Sequence, residues 1–171
     1  MRDLGRDLLE IVTKIRDDLP NRYVPPSEGT LPRSQSVLPH AMVKSTRGYI
    51  ERVVFQINGS YENGWFDACA VMMRRLLETL IIEVFEHFKI DSKIKNAAGD
   101  FLYLSDLISA LLTESSWNLG RNTKQALPKL KDIGDQSAHS RRFIAHREDV
   151  DKLLPDFRAV VQELLFLSKL R

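Results

Sequence analysis

Residues 66–88 read FDACAVMMRRLLETLIIEVFEHF. Phe66, Cys69, Ala70, Met73, Leu77, Leu80, Ile81, Val84 and Phe88 recur every three or four positions, which is the repeat of one face of an α-helix. Leu76, Ile82 and Phe85 widen that stripe, so the helix must be covered on more than one side. It is expected to end near Lys89. A helix this apolar needs several neighbours, and the flanking sequence predicts further helices rather than strands.

Upstream, Thr46 to Ile57 reads as a helix ended by Asn58-Gly59, with Ser60 or Asn63 placed to cap the long helix. Downstream, FLYLSDLISALL forms a shorter apolar helix after a polar turn at Gly99. Another is expected from about Thr123 towards Ser137, with Pro128 disturbing its first turns. The last begins at Glu148-Asp149, acids suited to the positive end of the dipole. It runs through Val150, Leu153, Leu154, Phe157, Val160, Val161, Leu164 and Leu167, with a kink at Pro155. No stretch alternates as a strand would, so the expected fold class is all-α, a helical bundle.

The N-terminal part differs. Leu4, Leu8, Leu9, Ile11, Val12, Ile15 and Leu19 mark an amphipathic helix over residues 1–19. Residues 20–44 are rich in Pro and Ser and read as a linker, with the bundle proper at 45–171. A linker of that length is unusual inside a compact domain, which suggests that the first helix is an arm packing on another subunit.

The chain has 171 residues, 43% hydrophobic and 28% charged, with a formal net charge of +2. So small an excess excludes a polycation that grips nucleic acid by bulk charge; any such binding needs a local patch. The single cysteine, Cys69, excludes an internal disulfide and fits a reducing compartment. The charged N-terminus is unlike a signal peptide, and no apolar run is long enough to span a bilayer. The expectation is a cytoplasmic protein with no membrane partner.

Candidate chemistry concentrates in LKDIGDQSAHSRRFIAHRED, residues 130–149. It holds His139 and His146, two of the four histidines, with Arg141, Arg142 and Arg147 around them. His87 reads as a helix-end histidine, and His40 lies in the linker without an obvious partner. No phosphate-binding glycine loop, serine nucleophile motif or redox cysteine pair is present. His139, His146, Asp135 and Asp149 have no recognisable metal-ligand spacing, so neither a metal nor another cofactor is expected.

Three segments resemble the HEPN superfamily, most closely a HEPN-like helical domain that also occurs fused to restriction-type endonuclease subunits. The first is NGSYENGWFDACAVMMRRLLETLI, in which Arg74 and Glu78 occupy the motif positions. The second is the Leu-Ser-Asp-Leu-Ile at 104–108. The third is LKDIGDQSAH, followed by EDVDKLL, with Gly134 and His139 in place and Asp135 where Asn is usual. The resemblance implies a bundle of roughly four to five helices, commonly a homodimer, in a defence or mobile-element setting. In the catalytic branch it implies a metal-independent endoribonuclease, with an Arg clamping phosphate and a His moving protons in a cleft shared by two subunits.

Three readings of residues 130–149 follow. As an RNase, His139 or His146 would work with Arg141. Gly134 stands where the catalytic Arg belongs, however, and the literal Arg141-to-His146 match lies outside the family position. As a structural lock, Gly134 lets another helix approach closely and Asp135 pairs with Lys131 or orients His139. Arg74 and Glu78 then form a helical pair, or one of them reaches across towards His139. As a binding site, Lys131, Arg141, Arg142 and Arg147, with Lys129 and the start of the last helix, would hold RNA, a nucleotide or an acidic partner protein. Asp132, Asp135, Glu148 and Asp149 temper that charge, so the expected role is a non-catalytic or degenerate HEPN-like module.

Overall fold

The computed structural model describes residues 36–171; the helix expected over 1–19 and the first part of the linker lie outside them. Seven α-helices follow in order: α1 His40–Val43, α2 Gly48–Glu62, α3 Phe66–His87, α4 Leu104–Thr113, α5 Arg121–His139, α6 Arg147–Asp151 and α7 Leu154–Leu167. A single 3₁₀ turn, Asp91–Ile94, separates α3 from α4. The described residues contain no strand beyond one isolated bridge, Lys95 to Phe101. The fold class is all-α, and no helix among these residues is long and apolar enough to cross a membrane.

Helix α3 is the axis. It packs against α2, α4, α5, α6 and α7. Leu76, Leu77, Leu80, Ile81, Val84 and Phe85 are all buried on it, as the wide apolar stripe requires. Burial reaches even Glu83, which faces the guanidinium of Arg47 at 2.9 Å. Desolvation pushes the Glu83 carboxyl up, and Arg47 opposes the shift. The Cys69 thiol, also buried, is pushed up to about 12, which removes it as a nucleophile.

Four boundaries differ from the sequence expectation. Helix α2 does not stop at Asn58-Gly59 but runs on to Glu62. Asn58 is instead buried, with its carbonyl accepting from the amides of Val37 (3.0 Å) and Leu38 (2.9 Å) and its amide donating to the Leu38 carbonyl (2.9 Å). The terminator is Gly64, at φ +75°, a left-handed conformation that costs glycine little. Gly64 N–H donates to the Tyr61 carbonyl and Trp65 N–H to the Ser60 carbonyl, the paired bonds of a Schellman end. Trp65, not Ser60 or Asn63, then precedes α3, without a side-chain cap.

The second difference is the end of the linker. Val37 and Leu38 are fully buried in the core, and Arg158 of α7 donates to the carbonyls of Val37 and Ser36, both at 2.7 Å. Residues 36–44 therefore belong to the packed bundle. Third, α5 starts at Arg121, two residues ahead of Thr123, and Glu163 of α7 braces that start: its carboxylate accepts from Gly120 N–H at 2.7 Å and from the Thr123 hydroxyl. Pro128 lies inside α5 on an exposed face, where water can satisfy the Lys124 carbonyl that loses its donor.

Finally, the last predicted helix is two helices. Pro155 does not kink a continuous element; it stands in the first turn of α7, where a missing N–H and a fixed φ cost nothing.

Asn58 carries a checkable consequence. Asn58→Ala strands two buried amides and a carbonyl, so it should lower unfolding stability by about 3 kcal/mol in urea titration. A loss under about 0.5 kcal/mol, the range of an ordinary surface change, would show that the 36–38 segment is not held this way.

Candidate functional site

The family-like motif lies where α3 and α5 cross. Gly134 faces α3 so closely that a Cβ there would stand 2.6 Å from the Arg74 Cβ and 3.1 Å from the Ala70 carbonyl oxygen. Glycine is thus required by the approach of two helices, not by its backbone angles. Beside it, Arg74 Nε donates to Asp135 at 2.6 Å, and Lys131 Nζ donates to the other carboxylate oxygen at 2.5 Å. Arg74 also lies 3.5 Å from Glu78, one turn along α3. Arg74 therefore does reach across, but to Asp135 rather than to His139.

Partial burial would raise the Asp135 carboxyl, but the hydrogen bonds and charges of Lys131 and Arg74 outweigh it and hold it below the ordinary value. The four residues of this cluster are only partly buried, so each ion pair is worth little in itself.

The histidines and free arginines lie beyond this crossing. His139 is the last residue of α5 and exposed, and its ring makes no hydrogen bond to any described residue; Asp135 pairs with Lys131 and Arg74 instead of orienting it. Residues 140–146 make a loop that is exposed except at buried Ala145 and half-buried Phe143, and His146 precedes α6. His146 N–H donates to Asp149 at 2.9 Å, while its ring, 78% exposed, stays 3.7 Å from that carboxylate. Among the described residues no hydrogen bond or ion pair joins the Arg141 side chain to either histidine.

The loop is nevertheless held in place. Ala145 N–H donates at 3.0 Å to Asp67 in the first turn of α3. The guanidinium of Arg147 sits 4.9 Å from the Tyr61 ring centre and 5.9 Å from that of Phe66, and it donates to the Tyr61 hydroxyl at 3.4 Å. Tyr61 in turn donates to Asp151; burial first, then this bond, raises its phenol above the ordinary value. Asp67, Tyr61 and Asp151 escaped sequence reasoning, because nothing local marks partners so distant in the chain.

Of the expected anion-binding set, Lys131 and Arg147 are thus engaged inside the protein. Arg141 and Arg142 are exposed and form no ion pair among the described residues. The helix opening beside them, α6, has only five residues, so its dipole adds little of the positive field expected from a long final helix. His87 is exposed and packs edge-on against Phe88 at 5.3 Å, while His40 keeps a buried Nε2 without a hydrogen bond. Among the described residues no three His, Cys, Asp or Glu side chains converge as a metal site.

Two outcomes test the crossing. Gly134→Ala should cost about 2 kcal/mol or more by chemical denaturation, since backbone and a Cβ must both give way. Gly48→Ala, with open space around it, should be neutral or mildly stabilising. Asp135 also has a pH signature. Its folded pKa is depressed, so its contribution is present above the unfolded pKa of about 3.9 and fades as pH falls through the folded value. Asp135→Asn should therefore lower stability at neutral pH and narrow its gap to wild type below about pH 4; a constant gap from pH 7 to pH 3 would refute the ion-pair account. Comparison of the chain with protein-family models, with curated proteins and with solved structures gives no match, which leaves this geometry as the evidence on the site.

Proposed function

We propose that this chain is a non-catalytic HEPN-like module, dimeric as that resemblance implies, which binds a phosphate-bearing ligand on the loop at residues 139–146. The observation that carries the reading is a division of labour. Gly134, Asp135, Arg74 and Lys131 are occupied in joining α3 to α5, whereas Arg141 and Arg142 stand exposed without a carboxylate partner among the described residues. Guanidinium groups so placed suit phosphate oxygens, and the exposed His139 and His146 add further donors. RNA and nucleotides are the ligands with this chemistry.

The second reading, a metal-independent endoribonuclease, draws on the same exposed groups, with Arg141 from one subunit meeting a histidine of another. A catalytic clamp, though, needs both groups fixed in position; the His146 ring caps α6 beside Asp149, while Arg141 has no ion pair among the described residues to fix it near either histidine.

Fluorescence anisotropy with labelled RNA separates these readings from no function at this loop. Arg141→Ala/Arg142→Ala should weaken binding about tenfold or more and reduce the slope of log K against log salt by about 1 to 2. Unchanged affinity and slope would sink the proposal. RNA incubated with wild type in EDTA should stay intact; cleavage that disappears in His139→Ala or His146→Ala would establish the enzyme instead.

A further inference from the structure

Resting on the phosphate-binding reading of residues 139–146, we propose that Asp67 is a positioning residue for that loop. It holds the backbone that carries Arg141 and Arg142, and it does so as a hydrogen-bond acceptor rather than as a charge. The Asp67 carboxylate, half-buried in the first turn of α3, accepts from Ala145 N–H at 3.0 Å. Ala145 is only 4% exposed, so an amide deprived of this acceptor has little water to turn to. Towards the other end of the loop, Ser140 Oγ accepts from the amides of Arg142 (3.3 Å) and Phe143 (3.1 Å). The loop backbone is thus tied on both sides of the two arginines, whose guanidinium groups form no ion pair among the described residues.

An acid in the first turn of a helix has an ordinary explanation, because it stabilises the positive end of the dipole. That role needs charge and concerns α3 alone. The bond to Ala145 joins residues 78 apart in the chain and needs only an acceptor. For an anionic ligand the two roles have opposite signs. Negative charge beside a phosphate-binding loop weakens binding, so a carboxylate acting by charge gives tighter binding once it is neutralised. An acceptor that holds the loop gives weaker binding once it is deleted, because the ligand must then order the loop itself.

The test uses the full chain, with anisotropy of labelled RNA and hydrogen exchange at the Ala145 amide. Asp67→Ala should speed that exchange and weaken binding about three- to tenfold. Asp67→Asn keeps an acceptor without the charge; it should leave the amide protected and bind as tightly as wild type or tighter. Ser140→Ala, at an exposed and uncharged position, should also weaken binding, and it carries the test if Asp67→Ala does not fold. Equal tightening in Asp67→Ala and Asp67→Asn would reveal a charge effect and overturn the proposal. So would wild-type affinity in Asp67→Ala while Ala145 exchanges faster. If Arg141→Ala/Arg142→Ala alone loses affinity, the phosphate reading survives without Asp67; if that variant also binds like wild type, both fail.

Discussion

The closest constraint in this bundle is the contact of Gly134 with the backbone and Cβ of residues on α3. The ion pairs that join α3 to α5 depend on it. Only at that separation can the Arg74 side chain lie along α5 and meet Asp135, and Asp135 then gathers Lys131 from one turn earlier. Steric fit matters more here than charge. The ion pairs are partly exposed and individually weak, whereas backbone and a Cβ inside van der Waals distance leave no room for any larger residue.

Beyond the crossing α5 ends at His139, and there the loop begins. From His139 the chain turns back across the start of α3, and it is held there by polar contacts of different kinds. Asp67 takes a loop amide, Asp149 takes the amide of His146, and Tyr61 stands between Asp151 and Arg147. The backbone of the loop is thereby placed, while the side chains of Arg141, Arg142 and Ile144 remain open to solvent. A tied loop with free side chains reduces the ordering cost of binding without covering the groups that would bind.

What could be read from the sequence follows the range of the interaction. The long helix was legible because its apolar repeat is local. So were the close approach at Gly134 and the Lys131–Asp135 pair, since residues four apart on a helix face each other. Asn58-Gly59 misled because its turn-like character was overridden by partners at Val37 and Leu38, about twenty residues upstream. The start of α5 is braced by Glu163, some forty residues on, and the loop's anchorage depends on Asp67, far back in the chain. Pro155 was ambiguous for a different reason: the same residue breaks one helix or starts another, and the choice rests on how residues 152–154 pack.

The histidines and arginines of residues 130–149 are dense in sequence yet part into two groups in space. Catalysis by His and Arg needs preorganised groups, because reorganising them during the reaction forfeits the advantage over water. Preorganisation is present at this end of the molecule, but it holds Arg74, Lys131, Asp135 and Arg147, each already matched to a partner. Among the described residues, no side-chain hydrogen bond or ion pair holds Arg141, Arg142 or the ring of His139. Binding tolerates that arrangement, since a ligand's phosphates can order the side chains as they arrive. Proton transfer does not, and that is the physical ground on which we propose recognition rather than cleavage.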